Sequence, residues 1–299
     1  MKSANVLEYY AATGPMTRAG SRGSYLGSAP SSIRELAETV QQLFLYDVVA
    51  KDFYGFDVPR QRVDEIHLRS IELLLDRIIQ LDDEPLAKAR SLGKRTIGRC
   101  HHFALMTVAV LRAHGISARA RCGFGAYFNP PQFEDHWVCE YWDAGERRWV
   151  LADTQLDAVW IEKLGIQHDV LDAPRDQFLT AADAWKQCRT GKLDPARFGI
   201  SFVKLHGLWF VAGSLVRDLA SLNKMEMLPW DSWGAQPEPE TKLDDSQLRF
   251  FDEIADMTGD VDMAFDAVRE KYSEDERLRV PQKVFNGLKQ RLESVAEVD

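Results

Sequence analysis

The sequence changes its hydrophobic period at Gly115, and this change restricts the fold more than any other feature. Before the glycine, the stretch "RTIGRCHHFALMTVAVLRAHG" at residues 95–115 has apolar residues at helical spacing, and a glycine there suits a left-handed helix end. After it, "ISARARCGFGAYF" alternates as a strand does, and "HWVCEYW" and "RRWVLAD" flank turn residues 143–145 as an antiparallel hairpin. A helix followed by at least three strands predicts an α+β fold.

Composition divides the chain into four segments. Residues 1–30, rich in Gly, Ser and Ala, suggest a surface arm. Residues 31–234 form the body, and its first two predicted helices span residues 30–50 and 61–81. A proline-containing linker follows at 235–244, and an acidic segment at 245–299 carries patterns for three helices, at 245–257, 261–272 and 281–296. We expect the body to fold without residues 240–299. The apolar faces of the three helices would pack on one another, on the body or on a second subunit, which is the sequence's one indication of a homo-oligomer.

Charge and composition exclude several classes of protein. Of 46 acidic and 37 basic residues, 17 and 9 lie from residue 234 onward, so the net charge of -9 is concentrated at the C-terminal end. A nearly neutral body with an acidic tail argues against binding to nucleic acid or to an anionic membrane. There is no apolar run long enough to span a membrane and no signal-peptide core, and four cysteines are too few for a disulfide framework. We therefore expect a cytoplasmic protein with reduced thiols.

Three residues stand where a nucleophilic triad would need them. Cys100 lies at the start of the helix, where unpaired N–H groups favour the thiolate, although a cysteine alone is more often a small core residue. His136 opens one strand of the hairpin and Asp153 closes the other, each seven residues from a turn at 143–146. This symmetry predicts that the imidazole and the carboxylate lie side by side at the end of the sheet, within reach of the helix start.

The motifs around these residues resemble the transglutaminase-like superfamily of papain-fold cysteine enzymes. The family pattern is a Gly-x-Cys that opens a helix, "LRxxGIxAR" at its end, His-Trp on a strand, and a "W…D" that closes the next strand. The corresponding text is "GRCHHFALMTVAVLRAHGISARARCGF", "DHWVCEYW" and "RRWVLADTQLD". Flanking text extends the likeness to residues 30–235, where it is similar to a bacterial group of this superfamily.

The resemblance implies a catalytic helix packed on an antiparallel sheet, with Cys100 as the nucleophile, His136 as the general base and acid, and Asp153 as the residue that orients the imidazole. It implies attack on an amide or ester of a peptide or small molecule, a thioester intermediate, and acyl transfer to water or to an amine, with no cofactor. The backbone N–H of Cys100 is expected to supply one oxyanion donor, and the sequence does not identify the second. Two alternatives stay open: a non-catalytic binding module that keeps the fold, and an acyltransferase that uses a carrier-bound thioester in small-molecule biosynthesis.

The histidines beside the nucleophile have two interpretations. His101 and His102 could line the cleft, or bond the backbone of the first helical turn. A metal site is disfavoured, because His136 and Cys139 are three apart on a strand and point to opposite faces, and because the chain has no CxxC pair. We therefore predict no metal.

Other reactive or charged residues near the motif have ordinary structural roles as their first interpretation. Cys122 and Cys139 stand among apolar strand neighbours and are expected in the core, and Cys188 lies in a helical stretch. Arg119 and Arg121 share one strand face, where they either bind an anionic group of the substrate or pair with surface acids.

Overall fold

The computed structural model describes residues 2–295, and their side chains from residue 5 onward. The helices within these residues are Lys2–Ala11 (α1), Gly23–Gly27 (α2), Ile33–Leu43 (α3), Ala50–Tyr54 (α4), Ile71–Leu81 (α5), Cys100–Ala113 (α6), Ala158–Leu164 (α7), Ala181–Arg189 (α8), Leu208–Leu222 (α9), Asp245–Gly259 (α10) and Phe265–Glu274 (α11). The strands are Phe44–Tyr46 (β1), Thr96–Gly98 (β2), Ala118–Gly125 (β3), Phe133–Asp143 (β4), Arg148–Ala152 (β5), Phe178–Thr180 (β6), Phe198–Ile200 (β7), Leu205–His206 (β8), Asp231–Ser232 (β9), Lys283–Asn286 (β10) and Arg291–Ser294 (β11). The α+β fold expected from the sequence is confirmed.

The chain divides into two compact units. Unit 1 comprises Met1–Ala120 and Val138–Ala173, and unit 2 comprises Arg121–Trp137 and Pro174–Asp299. The boundaries fall inside strands β3 and β4, so both strands contribute residues to both units. The four-segment organisation drawn from composition stays a prediction, since the units follow a different division.

Unit 1 is built around α6. All but one of the fourteen residues of α6 are buried, and the helix ends at a glycine, Gly115, with the predicted left-handed φ of 73°. Thr107 in the middle of the helix shares a 2.8 Å hydroxyl–hydroxyl hydrogen bond with Thr154, and Arg112 Nε donates to the carbonyl of Ala118 at 2.9 Å. These bonds attach α6 to the start of β3 and to the segment that follows β5.

A short parallel pair of strands leads the chain into α6. Strand β1 pairs with β2 from Phe44 with Thr96 to Tyr46 with Gly98. The N-terminal helix expected up to residue 50 therefore ends at Leu43, where β1 begins. The next expected helix, over 61–81, is interrupted as well, because residues 60–67 form a 3₁₀ helix and α5 starts only at Ile71.

The predicted hairpin exists, but its register differs from the one the sequence suggested. Strands β4 and β5 are antiparallel, and their pairs run from Asp143 with Arg148 to Cys139 with Ala152. The turn thus occupies residues 144–147, and Arg147 at its end has a φ of 55°. Continued by one pair, this register sets Asp153 opposite Val138 rather than opposite His136. The shift of two residues keeps every side chain on its predicted face, because the side-chain period of a strand is two.

Unit 2 contains the remaining pairings of the large sheet. Strand β3 pairs with β6, the first part of β4 pairs with β7 in parallel, and β7 pairs with β8, which gives the order β6-β3-β4-β7-β8 with β5 beside β4. Helix α10 packs on α8 and α9. Phe251 and Ile254 of α10 are fully buried, the Phe251 ring lies 5.4 Å from that of Trp185, and Trp185 Nε1 donates to Asp252 at 2.8 Å.

This packing bears on two expectations about the acidic C-terminal segment. Its first helix shares a core with residues 181–222, so we now expect removal of residues 240–299 to expose part of the core of unit 2, and the folding of the shortened body stays a prediction. Its third predicted helix is instead the hairpin of β10 and β11, and β10 also pairs with β9. The first two helices, α10 and α11, form as predicted. No helix between residues 2 and 295 has the length and apolar character that a membrane span requires.

Candidate active site

Cys100 is the first residue of α6, as the sequence predicts, and it is 5% exposed. The preceding residue, Arg99, is the N-cap in extended conformation, and its guanidinium forms two hydrogen bonds with the Asp47 carboxylate, at 2.9 and 2.8 Å. Burial alone would lower the pKa of Arg99, but the contacts with Asp47 raise it, and the charge of Cys100 acts in the same direction. The thiol is therefore at a helix N-terminus and next to the permanently charged Arg99 guanidinium.

His102 fixes the start of the helix rather than taking part in chemistry. Its Nδ1 accepts the backbone N–H of Arg99 at 2.9 Å, and its Nε2 lies 3.2 Å from the carbonyl of Leu68, to which it donates in the neutral tautomer. The ring is fully buried, and burial lowers its pKa to about 4. Of the two interpretations left open for this histidine, the backbone one is correct. A β-carbon at Gly98 would lie 3.2 Å from that of His102 and 3.0 Å from the Phe44 ring, so a larger residue at this position would require these neighbours to shift by a few tenths of an ångström.

His101 is fully buried too, and its ring meets that of His102 edge-on at 5.4 Å. It does not line an open cleft. Among residues 2–295, no group of three or more His, Cys, Asp and Glu side chains is arranged to hold a metal ion.

Asp153 follows β5 in unit 1 and is 1% exposed. Its backbone N–H donates to Val170 at 2.7 Å, and its Oδ1 accepts the N–H of Gln155 at 3.2 Å. The neighbouring Thr154 is the residue that bonds Thr107 of α6. Within unit 1, the carboxylate is thus held rigidly in a segment that is attached to the helix of Cys100.

His136 lies on β4 in the part that belongs to unit 2, and it is 2% exposed. Three aromatic rings of unit 2 surround the imidazole: Phe128 at 4.6 Å, Tyr127 at 6.2 Å and Phe178 at 6.3 Å between centroids. Such packing restricts the ring to one orientation, as a proton-transfer group requires. Cys100 and Asp153 belong to unit 1 and His136 to unit 2, and their meeting stays a prediction.

The other thiols occupy chemically different surroundings. Cys122 and Cys139 are fully buried strand residues, which confirms their expected place in the core, and burial raises the pKa of both thiols. Cys188, on α8, is partly exposed, and burial raises its pKa to about 12. High thiol pKa values leave little thiolate at neutral pH, so these three cysteines are poor nucleophiles.

The paired arginines of β3 are occupied by carboxylates. Arg119 Nε donates to Glu140 at 2.7 Å, and its guanidinium lies 3.9 Å from the centre of the Trp149 ring. Arg121 makes two bonds with Asp218, at 3.1 and 2.9 Å. Pairing with acids was one of the two expectations, but the acids, Glu140 and Asp218, are buried rather than at the surface.

The sequence did not predict one group of contacts that holds strand β2, just before the helix of Cys100. Glu65 is buried between Arg62 and Arg77 and accepts the N–H of Ile97 in β2 at 2.7 Å. Burial would raise the pKa of Glu65, but these three donors hold it below its usual value. No local pattern reveals this role, because the contacts join segments about thirty residues apart in the chain. The one available sequence signal is the acidic side chain of Glu65 within a stretch that has a helical pattern.

Comparison with known proteins places the motif in a family. Residues 76–154 match the model of the transglutaminase-like superfamily, and all three predicted triad positions fall within the match. Residues 76–154 are therefore similar to the transglutaminase-like superfamily. The crystal structure of a proposed cysteine protease from Cytophaga hutchinsonii is similar over 57% of this chain, at 14% identity and a TM-score of 0.33. This chain spans 44% of that one, and a search of curated proteins finds no match.

Proposed function

We propose that the protein is a cysteine enzyme that attacks an amide or ester carbonyl with the Cys100 thiolate. The observation that carries the proposal is the setting of Cys100: the first residue of a rigid helix, beside the Arg99 guanidinium, inside the segment that matches the superfamily. A helix start both favours the thiolate and directs backbone N–H groups toward a developing oxyanion.

The proposed reaction uses His136 and Asp153 as partners of the thiol. His136 accepts the thiol proton and later protonates the leaving amine or alcohol, while Asp153 orients the imidazole. The carbonyl carbon forms a bond to the Cys100 sulfur and releases its leaving group, which gives a thioester. Water or an amine then attacks the thioester and restores the thiol. The backbone N–H of Cys100 is the proposed first oxyanion donor, and the second is not assigned.

The two arginines of β3 bear on the acyltransferase alternative. A carrier-bound thioester would require a basic entrance for its phosphorylated arm, and Arg119 and Arg121, the candidates in the sequence, are both paired with buried acids. We therefore favour a simple amide or ester over a carrier-bound substrate.

Trapping the acyl-enzyme tests the proposal. The protein is incubated with p-nitrophenyl acetate, quenched in acid, digested and analysed by mass spectrometry, with Cys100→Ala as the paired sample. We expect a hydroxylamine-sensitive acetyl group on Cys100 in the native chain, and its disappearance in the variant. Addition of a primary amine before the quench separates the two fates: an amide product indicates acyl transfer, and free acetate alone indicates hydrolysis. A native protein that never carries the adduct on Cys100 would support the binding-module alternative.

A further inference from the structure

A cavity in unit 2 has no role in the proposed chemistry. It lies between α9, the segment 229–239 and the turn that joins β10 to β11, and its volume is about 790 Å³. Cavities that hold small ligands commonly have volumes of roughly 300 to 1,000 Å³. The size of the space is therefore that of a ligand site rather than a packing defect.

The base of the cavity holds a buried guanidinium whose charge is incompletely compensated. Arg217 is 7% exposed; its Nη1 donates to Gln236 at 3.1 Å and its Nη2 to Ser214 at 3.0 Å. Both acceptors are neutral, and the buried Nε has no hydrogen-bond partner among the described residues. The Cys122 thiol shares a hydrogen bond with this guanidinium, and the fully buried Asp135 carboxylate attracts its charge. An anion in the cavity would add a directly hydrogen-bonded counterion to a buried cation, which is favourable.

A glycine keeps the space above the guanidinium open. Gly213 lies in the middle of α9, where glycine costs the helix about 1 kcal/mol relative to alanine. A β-carbon at this position would lie 3.6 Å from Arg217 Nη1 and 3.8 Å from Gln236 Oε1, so any larger side chain would extend over the polar groups. Glycine at this position lowers the stability of the helix but leaves Arg217 accessible from the cavity.

The walls of the cavity are flat and apolar. They include the rings of Trp209, Trp230 and Phe285, together with Leu288, which is 51% exposed at the rim. The lining contains two acidic residues, the buried Asp231 and the exposed Glu238. Aromatic walls around a single cationic group are complementary to a molecule with a ring at one end and an anion at the other.

We propose that this cavity binds a small carboxylate with a flat apolar body, its carboxylate on Arg217 and its ring between the tryptophans. The planar fork of the guanidinium matches a carboxylate in two parallel hydrogen bonds, one from each Nη, since each Nη has a second N–H besides the one donated to Gln236 or Ser214. The site is separate from Cys100 in its chemistry, so the proposal stands whether or not Cys100 is a nucleophile.

A matched pair of probes tests the charge requirement. Isothermal titration calorimetry on the full chain compares 2-naphthoate with 2-naphthamide, which have the same ring but differ in charge. We expect 2-naphthoate to bind at least about tenfold more tightly, since hydrogen bonds between two charged groups are stronger than hydrogen bonds to a neutral amide. Equal affinities, or no binding of either probe, would overturn the proposal without any variant.

Variants locate the site. Arg217→Gln should remove the preference for 2-naphthoate, while Lys192→Gln, which removes an exposed cation elsewhere in unit 2, should leave it unchanged. Gly213→Leu should weaken both probes together by filling the space above Arg217. Cys100→Ala should bind both probes as the native chain does. Retention of the full preference in folded Arg217→Gln would assign the binding to another place, and if that variant does not fold, Gly213→Leu decides the location.

Discussion

Cys100 and Cys139 are buried thiols in the same unit, yet their surroundings differ in the features that control sulfur chemistry. Cys139 lies in the middle of β4, fully enclosed, and burial raises its thiol pKa. Cys100 is the first residue of a helix and lies beside the Arg99 guanidinium. His102 and Gly98 form the cap at the start of that helix. The comparison shows that position within secondary structure, more than burial, separates a candidate nucleophile from a core residue.

Removal of the Cys100 thiol should give the largest loss of turnover. If it does not, Cys100 and Cys139 do not differ in their chemical role. We expect Cys100→Ala to lower the rate of ester or amide turnover by at least about 10⁴-fold, because no other group can form the thioester. Steady-state assay of the purified variant checks this, with Cys139→Ala as the matched control. Equal losses in the two variants would mean that Cys100 is not special.

Removal of the proposed base should cost less, because it transfers a proton and does not form the covalent bond to the substrate. We expect His136→Gln to lower turnover by about 10³-fold at neutral pH, within the range found for general acid–base groups. A Phe128→Leu variant, which removes one of the rings around the imidazole but not the imidazole, serves as the control and should lose much less. A His136→Gln enzyme with native turnover would remove this residue from the mechanism.

Replacement of the proposed orienting carboxylate should have a smaller effect again. We expect Asp153→Asn to lower turnover by about 10²-fold, since the amide keeps the shape but no longer stabilises the imidazolium. Because Asp153 is buried and its Oδ1 accepts a backbone N–H, thermal melting of the variant must accompany the assay. A loss of activity that merely follows the loss of folded protein would indicate a structural role only.

His102, which caps the helix of Cys100, should make the free energy of unfolding depend on pH. This is the smallest of the predicted effects. The pKa of His102 is about 4 in the folded chain, against about 6.5 when unfolded, so the unfolded state binds the extra proton between these values. Acidification below pH 6.5 therefore favours unfolding through this residue, by about 2 kcal/mol at pH 5, and there is no such contribution above pH 6.5.

The variant His102→Gln isolates this contribution. Glutamine at the third helical position can accept the Arg99 N–H but does not titrate, so the difference in unfolding free energy between the two proteins should shrink as the pH falls from 6.5 to 4. Subtraction also cancels Asp135, whose pKa burial raises to about 6 and which therefore acts in the opposite direction. Urea denaturation at several pH values measures the difference, and a constant difference would contradict the buried, neutral cap.

Local periodicity could predict α6 and the strands after it, because their apolar patterns are long and regular. The hairpin register was two residues off because the turn lies at residues 144–147 instead of 143–146, with Arg147 in a left-handed conformation that arginine rarely adopts. The third C-terminal helix was wrong because Asn286-Gly287, a strong turn signal, was given less weight than the spacing of apolar residues around it.

The surroundings of the candidate site could not be predicted in the same way. Cys100, His136 and Asp153 follow from motif order, but the Asp47–Arg99 pair and the Glu65 cluster join segments far apart in the chain. Likewise, the arginines of β3 alternate as surface residues would, and only tertiary packing makes their pairs buried. Contacts of this kind depend on how the elements pack, which periodicity does not specify.

The relative labelling of the four thiols in the native chain tests the central claim most directly. The folded protein is treated briefly with a limiting amount of iodoacetamide near neutral pH, and the modified peptides are quantified by mass spectrometry. We predict that Cys100 reacts first and that Cys122, Cys139 and Cys188 stay unmodified until the protein is unfolded. Modification of Cys188, the more exposed thiol, before Cys100 would show that access alone controls reactivity, and Cys100 would then not be the nucleophile.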